Sequence, residues 1–358
     1  MKRNLLLLTV CSLIILIVYR LPVIPGQTRY SMEILFRMAI SIILAGAVWS
    51  VNRHVSAFLG LALFSQFYPI FDSGSARAFY NVMCGVVLYY IIVSRGEKWT
   101  ESLMDMMCIV ALVNVVFALI QVCGYYPLWD NAGGAIIGLM ENQNSLSALL
   151  ALCFPAFLRR RWKVLSLLVI AGLFAAKSSG GVLAVVIGSC FYFIITAKER
   201  KQLYPIGICL VLITGIFTIF FDQSTSVYTR CDVWSRGFGL FTEHWVFGCG
   251  IGRWKTEFIA VVIHRGFPEG FIRLHSTVLQ SMVEMGIGFV IILAGYLINI
   301  ARRSWKNLIP MAIPLTALII ILANGSVNFL IRIAPNAALV IVWLAVIELS
   351  LRRLKDET

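Results

Sequence analysis

The chain has 358 residues, of which 60% are hydrophobic and 13% charged, with a mean hydropathy of +0.88 and a formal net charge of +13. That balance excludes a water-soluble domain of ordinary surface, since soluble globular chains carry about a quarter of their residues as Asp, Glu, Lys and Arg. The solvent is lipid, where helices are the expected spanning unit because they satisfy their own backbone polar groups.

In chain order, apolar runs suited to crossing roughly 30 Å of hydrocarbon fall at about 5–19, 34–50, 55–71, 76–93, 103–122, 143–158, 163–177, 182–197, 203–221, 277–300, 308–323 and 335–351. The first run follows Lys2 and Arg3 and leads into Arg20-Leu21-Pro22, not into a small-residue cleavage site, so it reads as a span and not a signal peptide. The expected fold class is all-α: a polytopic transmembrane helical bundle of about 12 spans, forming a single integral membrane domain over residues 1–358. No internal repeat, heptad pattern or low-complexity tract interrupts it.

With the N-terminus inside, the short cytoplasmic segments collect Lys2, Arg3, Arg53, Arg95, Lys98, Arg159, Arg160, Arg161, Lys163, Lys198, Arg200, Lys201, Arg302, Arg303, Lys306, Arg352, Arg353 and Lys355, which is 18 of the 30 basic residues. This asymmetry places both termini in the cytoplasm. The positive charge is then largely a topology signal, and no nucleic-acid partner is implied. The other twelve, which include Arg77, Lys177, Arg230, Arg236, Arg253 and Arg332, are not explained by topology. A cation kept near hydrocarbon either snorkels to lipid phosphate, pairs with a local carboxylate or binds an anionic substrate.

Residues 222–276 form the one long hydrophilic connection, about 55 residues on the outer side. It holds Tyr228, Trp234, Phe238, Phe241, Trp245, Phe247, Trp254, Phe258, Phe267 and Phe271. That is too aromatic for a solvated linker. Short amphipathic helices such as Val233 to Phe247, lying at the membrane surface or capping the bundle, are expected instead. The nine cysteines show no CxxC pair and no His/Cys cluster of metal spacing, so no metal site is indicated. Cys231 and Cys249 share the loop, either as a disulfide or as free buried thiols. His54 is expected on a solvated cytoplasmic turn, and His244 and His264 lie in the loop without a motif.

Within the loop the order is Arg230-x-x-x-Trp234, then Phe247-Gly248-Cys249-Gly250-Ile251-Gly252, then His275-Ser276, and then Glu284-x-Gly286-Ile287-Gly288. Upstream stand Glu141-Asn142-Gln143-Asn144 and Lys177-Ser178-Ser179-Gly180-Gly181. This ordered set resembles the O-antigen ligase and polymerase family of bacterial membrane glycan transferases, over about residues 135–350. The sequence departs from the family pattern at Ser179, where an arginine is usual, at Gln143, where a proline is usual, and at Ser276, where an asparagine usually follows the histidine.

The resemblance implies an enzyme of the bacterial inner membrane that moves a glycan from an undecaprenyl-pyrophosphate carrier to an acceptor hydroxyl on a glycan or on lipid A-core, without metal or cofactor. The leaving group is already a stable anion, so charge stabilisation matters more than a general acid. Arginine provides it through a fork that bonds phosphate oxygens bidentately, which makes Arg230 the candidate for the pyrophosphate. Lys177, Arg77 and Arg332 are further candidate cations, and Asn144, in the segment that resembles the family's Asn-Pro-Asn, is a further candidate substrate-binding residue. The candidate base for the acceptor hydroxyl is His275, at the mouth of its span, although a helix-capping role would place it there equally well. Gly248, Gly250 and Gly252 form either a phosphate-binding backbone nest or a tight turn. Glu284 orients the base or pairs with an arginine as a structural bridge. A repeat-unit polymerase shares all these motifs. A secondary transporter, the reading from another class, would need repeated halves and paired broken spans, which the sequence does not display.

The topology predicts that a single cysteine engineered within 255–270, in a background without the native thiols, is labelled by an impermeant maleimide in intact spheroplasts. Labelling only after lysis would reverse the orientation.

Overall fold

A computed structural model describes residues 54–55, 61, 73–126, 134–159, 162–197, 225–254 and 274–356, with the backbone alone for 73–80, 225–229 and 332. The expected spans 5–19, 34–50, most of 55–71 and 203–221 lie outside the described residues, as do His264, Lys255, Arg265 and Arg273.

The described residues are all-helical. In chain order the helices are α1 (Ser73–Arg95), α2 (Thr100–Val122), α3 (Gln143–Phe157), α4 (Ser166–Ala175), α5 (Ser179–Thr196), α6 (Thr225–Glu243), α7 (Thr277–Met285), α8 (Ile287–Ser304), α9 (Ala312–Val327) and α10 (Ala334–Asp356). Among the described residues, four stretches are long and apolar enough to cross a membrane: Glu97–Val122, Ser179–Thr196, Ile287–Ser304 and Ala334–Asp356. Asn81–Arg95, Gln143–Phe157, Lys163–Ala175 and Ala312–Val327 are shorter apolar helices. The expected span 277–300 is two helices, not one. Gly286, at φ 66°, ends α7, and α8 begins at the next residue.

Helix α2 shows why lipid is the surrounding medium. Its buried face carries Met104, Met107, Cys108, Ala111, Val115 and Ala118, while the opposite face exposes Met106, Ile109, Val113, Val116 and Leu119. A helix apolar all round has a hydrocarbon environment on the side not covered by protein.

The residues divide into two compact units. The larger comprises Arg95–Arg236, Arg273–Leu279 and Ile300–Thr358. Helix α3 is its centre: every residue from Ser145 to Phe157 is buried, and α3 packs against α2, α4, α5, α9 and α10. The most extensive pairing is α5 with α9. Gly188 allows it, since a Cβ there would strike the Ile320 side chain, and small residues at helix crossings bring backbones close where lipid supplies no hydrophobic drive. Trp343 of α10 ties the bundle centre by donating its indole N–H to the Leu152 carbonyl at 2.7 Å.

The end of this unit beyond the α3 C-terminus is charged. Arg159 bonds Glu101 at 2.7 Å and Asp105 at 2.6 Å, and Trp162 donates to the same Asp105 oxygen at 2.9 Å. Buried Glu348 accepts from Arg352 at 3.1 Å and faces Arg303 at 3.5 Å. Arginines of the expected cytoplasmic segments thus meet acids, Arg159 and Arg303 on another helix and Arg352 on its own.

The smaller unit comprises Met1–Ser94, Gly237–Ile272 and Gln280–Asn299. In it His54 packs edge-on against Tyr296 of α8, ring centroids 5.9 Å apart. The expectation of a solvated His54 is corrected: half-buried against an aromatic ring, it fills space between helices.

Exposure separates the roles of the ion pairs. The Arg159 side chain is 9% exposed, whereas Glu101 is 70% exposed. Arg159→Ala is expected to lower stability by about 1–3 kcal/mol, because it removes a charge-assisted hydrogen bond to Asp105 from a largely buried guanidinium, while Glu101→Gln costs less than about 1 kcal/mol. Thermal unfolding of the detergent-purified variants measures both.

Candidate functional site

At the opposite end of the larger unit the sequence motifs converge. A helix of 15 residues is about 22 Å long, so this end lies one α3 length from the Arg159 cluster. Helix α3 starts here because Asn142, in extended backbone, accepts the Ser145 amide at 2.9 Å as an N-cap. Gln143 then takes the first helical position, where a proline is also favourable, so this departure from the family pattern leaves the helix start intact.

Asn144 accepts a hydrogen bond from the Ser178 hydroxyl at 2.8 Å. Ser147 donates to the Ser178 carbonyl at 3.3 Å. These two bonds hold the turn between α4 and α5 against the first turns of α3. Lys177, in that turn, is exposed and lies in left-handed backbone at φ 49°.

His275 has the same left-handed conformation, also at φ 49°. Among the described residues, Lys177 and His275 are the two non-glycine residues at positive φ. Such a conformation costs of order 1 kcal/mol for a side chain of this kind and persists only where the surroundings impose it. Ser276, the next residue, caps α7 by accepting the Leu279 amide at 3.1 Å. A serine does this as well as the asparagine it replaces in the family pattern.

Four further residues, Thr277, Asn324, Asn328 and Asn336, belong to this end and were not singled out in the sequence. Thr277 donates its amide and its hydroxyl to the Asn328 carbonyl, each at 2.9 Å, and its hydroxyl accepts the Leu330 amide at 2.7 Å. The Asn328 amide donates to Asn324 at 2.7 Å. Asn336, in the first turn of α10, donates to the Ser145 carbonyl at 3.3 Å. The available signal was Asn324 and Asn328 spaced four apart at the end of an apolar run, a spacing that puts both on one helix face. Asn324 Nδ2, Asn336 Oδ1 and Ser145 Oγ are buried and have hydrogen-bonding capacity left over among the described residues.

Arg230 is joined to this end through α6. Trp234, one turn further along, donates its indole N–H at 2.8 Å to the carbonyl of Leu274, the residue before His275. Residues four apart share a helix face, so the face bearing Arg230 is fixed on the backbone that leads into the histidine. Arg230 is half-buried, and neither it nor Lys177 forms an ion pair among the described residues. Arg236, by contrast, bonds Asp232 at 3.0 Å.

Four helices, α3, α5, α7 and α10, begin at this end. Each N-terminus carries partial positive charge and amides without helical partners, the arrangement that binds phosphates. Residues 164–294 match the O-antigen ligase family model. That match takes in Lys177, Arg230, His275 and Glu284 and supports a membrane glycan-processing role. No curated protein matches the chain.

Of the remaining candidates, the backbone of Arg332 belongs to this same end, and the others belong to the smaller unit. Arg332 closes a short 3-10 turn, Leu330–Arg332, and Arg77 lies in α1; their side chains are outside the described residues. Gly248, Gly250, Gly252 and Glu284 belong to the smaller unit. There the glycine turn caps the C-terminus of α7: Cys249 donates to the Val283 carbonyl at 2.9 Å and Gly250 to the Glu284 carbonyl at 3.0 Å. The Gly248 amide goes to His244 at 2.8 Å. With these amides used inside the protein, the turn serves the orphan carbonyls of a helix end. Glu284 is buried and accepts from Gln280 at 2.8 Å on its own helix. Cys249 is a buried free thiol and Cys231 an exposed one, so of the two only Cys249 is buried as expected.

Gly248 has φ 72°, and a Cβ there would collide with the Glu284 backbone carbonyl. Gly248→Ala is therefore expected to destabilise by about 2 kcal/mol or more, adding a backbone clash to the left-handed penalty. Gly239→Ala, in α6 with open space around its Cβ, is expected to be neutral or stabilising by up to about 1 kcal/mol. Thermal unfolding of both variants provides the comparison.

Proposed function

We propose that the protein is a membrane glycosyltransferase that moves a glycan from an undecaprenyl-pyrophosphate carrier to an acceptor hydroxyl at the outer face of a bacterial inner membrane, in the manner of an O-antigen ligase. The observation that carries this reading is the meeting of four helix N-termini with the left-handed Lys177 and His275 turns, within a chain that matches the family over residues 164–294.

The reaction forms a bond between the acceptor oxygen and the anomeric carbon of the donor glycan, and breaks the bond from that carbon to the phosphate oxygen. Electrons leave with undecaprenyl pyrophosphate. In this reading Arg230 and the exposed Lys177 bind the pyrophosphate, together with helix-start amides, and stabilise the charge that grows on it. Their lack of carboxylate partners among the described residues leaves them suited to a substrate anion. His275 takes the acceptor proton as the new bond forms and releases it to solvent. Ser145, Asn324 and Asn336 form a neutral, buried polar floor, in which the bond from Asn336 to the Ser145 carbonyl ties the start of α10 to that of α3. Arg77, Arg332 and Glu284 remain candidates for substrate contacts.

Purified protein with a lipid-linked donor and an acceptor tests the reading. Arg230→Lys replaces a bidentate fork with a point charge and should lower transfer at least about tenfold, corresponding to roughly 1.4 kcal/mol of transition-state stabilisation. His275→Gln keeps a hydrogen-bonding side chain but no base, and should lower turnover by about 10²–10⁴-fold at unchanged protein level. Wild-type turnover in His275→Gln would reduce the histidine to a positioning role. Near-normal transfer in Arg230→Lys would move the phosphate site to Lys177, Arg77 or Arg332. Loss of the lipid-core-attached ladder on gene disruption identifies a ligase, and single-repeat products identify a polymerase.

A further inference from the structure

We infer that Asn328 is a positioning residue that locks the two left-handed turns of the site into one arrangement, with Thr277 as its link to the His275 turn. The inference deepens the reading of His275 as the base and rests on it for its kinetic consequence.

Asn328 ends α9 in extended backbone and is 3% exposed. Its two halves face different turns. The backbone carbonyl accepts both the amide and the hydroxyl of Thr277, so both of its lone pairs are used on one residue. The same hydroxyl accepts the Leu330 amide, which makes Thr277 a three-bond clip across residues 328–330. His275 stands two residues before Thr277, and its ring meets Phe329 edge-on with centroids 5.2 Å apart. Backbone and ring of the histidine are thereby both referred to the 328–330 turn.

The Asn328 side chain faces the other turn. Its amide donates to Asn324 and lies so close to Gly180 that a Cβ on that glycine would stand 2.5 Å from Asn328 Nδ2. Gly180 follows Lys177 by three residues in the turn that opens α5. One buried side chain thus abuts the Lys177 turn while its own carbonyl holds the His275 turn. Lys177 is left-handed as the residue after the C-cap of α4, with its amide donated to the Phe174 carbonyl at 3.1 Å, and Asn328 joins that helix ending to the His275 turn.

The test is a pair of double-mutant cycles read by thermal unfolding, which needs no substrate. Relief of left-handed strain by His275→Gly should raise the unfolding midpoint more in the parent than in Thr277→Val, which keeps the backbone amide bond but loses both hydroxyl bonds of the clip and so lets the turn relax. The expected difference is about 2 °C. His275→Ala in both backgrounds removes the same ring contact with Phe329 without relieving the left-handed strain, so the difference between the glycine and alanine variants is the quantity compared. Lys177→Gly measured with and without Asn328→Ala reads the other turn in the same way. Additive shifts in both cycles would overturn the proposal.

The kinetic arm uses the transfer assay. Thr277→Val should lower kcat by about 10- to 100-fold with donor KM changed less than about threefold, as misplacement of a reacting group predicts. Thr277→Ser, which keeps the hydroxyl, should restore turnover to within about threefold. If Thr277→Val does not fold, the cycle is run with Thr277→Ala and read at the same difference. Additive unfolding shifts alongside active transfer refute the hub alone. Coupled shifts with no transfer by the parent protein refute the glycosyltransferase reading alone.

Discussion

A helix that ends inside an apolar bundle has no water to complete its hydrogen bonds, and most of the described structure follows from that constraint. Helix α3 solves it with Asn142, and α7 with Ser276 at its start and the 248–250 turn at its finish. The carbonyl of Asn328 solves it for the entry to α7 by taking two bonds from Thr277. Each solution brings a small polar side chain or a glycine to a defined place. The dense set of asparagines and serines at one end of the larger unit is the sum of those solutions, and the ground on which the candidate site stands.

The two ends of that unit handle charge differently, which bears on where substrate chemistry can occur. At the Arg159 end the cations meet acids: Arg159 with Glu101 and Asp105, and Glu348 with Arg303 and Arg352. A cation neutralised by a carboxylate has little left for a substrate anion. At the other end the floor is made of neutral amides and hydroxyls, and Lys177 and Arg230 are brought in on a turn and a helix without acidic partners among the described residues. A field of helix starts and lone cations favours anionic ligands, and a neutral floor does not cancel it.

The glycine motif shows how one pattern serves two physical ends. Repeated glycines permit a backbone nest for phosphate, but they equally permit close backbone approach. Here the close approach is used: Gly248 lies on the Glu284 carbonyl, and the following amides satisfy the end of α7. The closing Glu284-x-Gly286 segment and the glycine turn are therefore complementary halves of one helix terminus.

Sequence by itself determined the helical class, because composition and recurring apolar runs leave a chain no other way to satisfy its backbone in lipid. It also marked Lys177 and Arg230 as cations that topology does not explain, while His275 stood out chiefly through its place in the family's histidine motif. The resemblance to a ligase family, carried by the order of weak motifs, agrees with the match over residues 164–294. Tertiary structure alone decided the break of the 277–300 run at Gly286, because apolar periodicity continues through a glycine whose backbone turns left-handed. It alone decided that His54 packs against Tyr296, a contact between residues more than two hundred positions apart. It alone revealed Asn324, Asn328 and Thr277, whose importance lies in which carbonyl accepts which proton across some fifty residues of chain. Pattern in a sequence records the solvent each residue prefers, whereas hydrogen-bond partners at a helix end are chosen by which other ends arrive beside it.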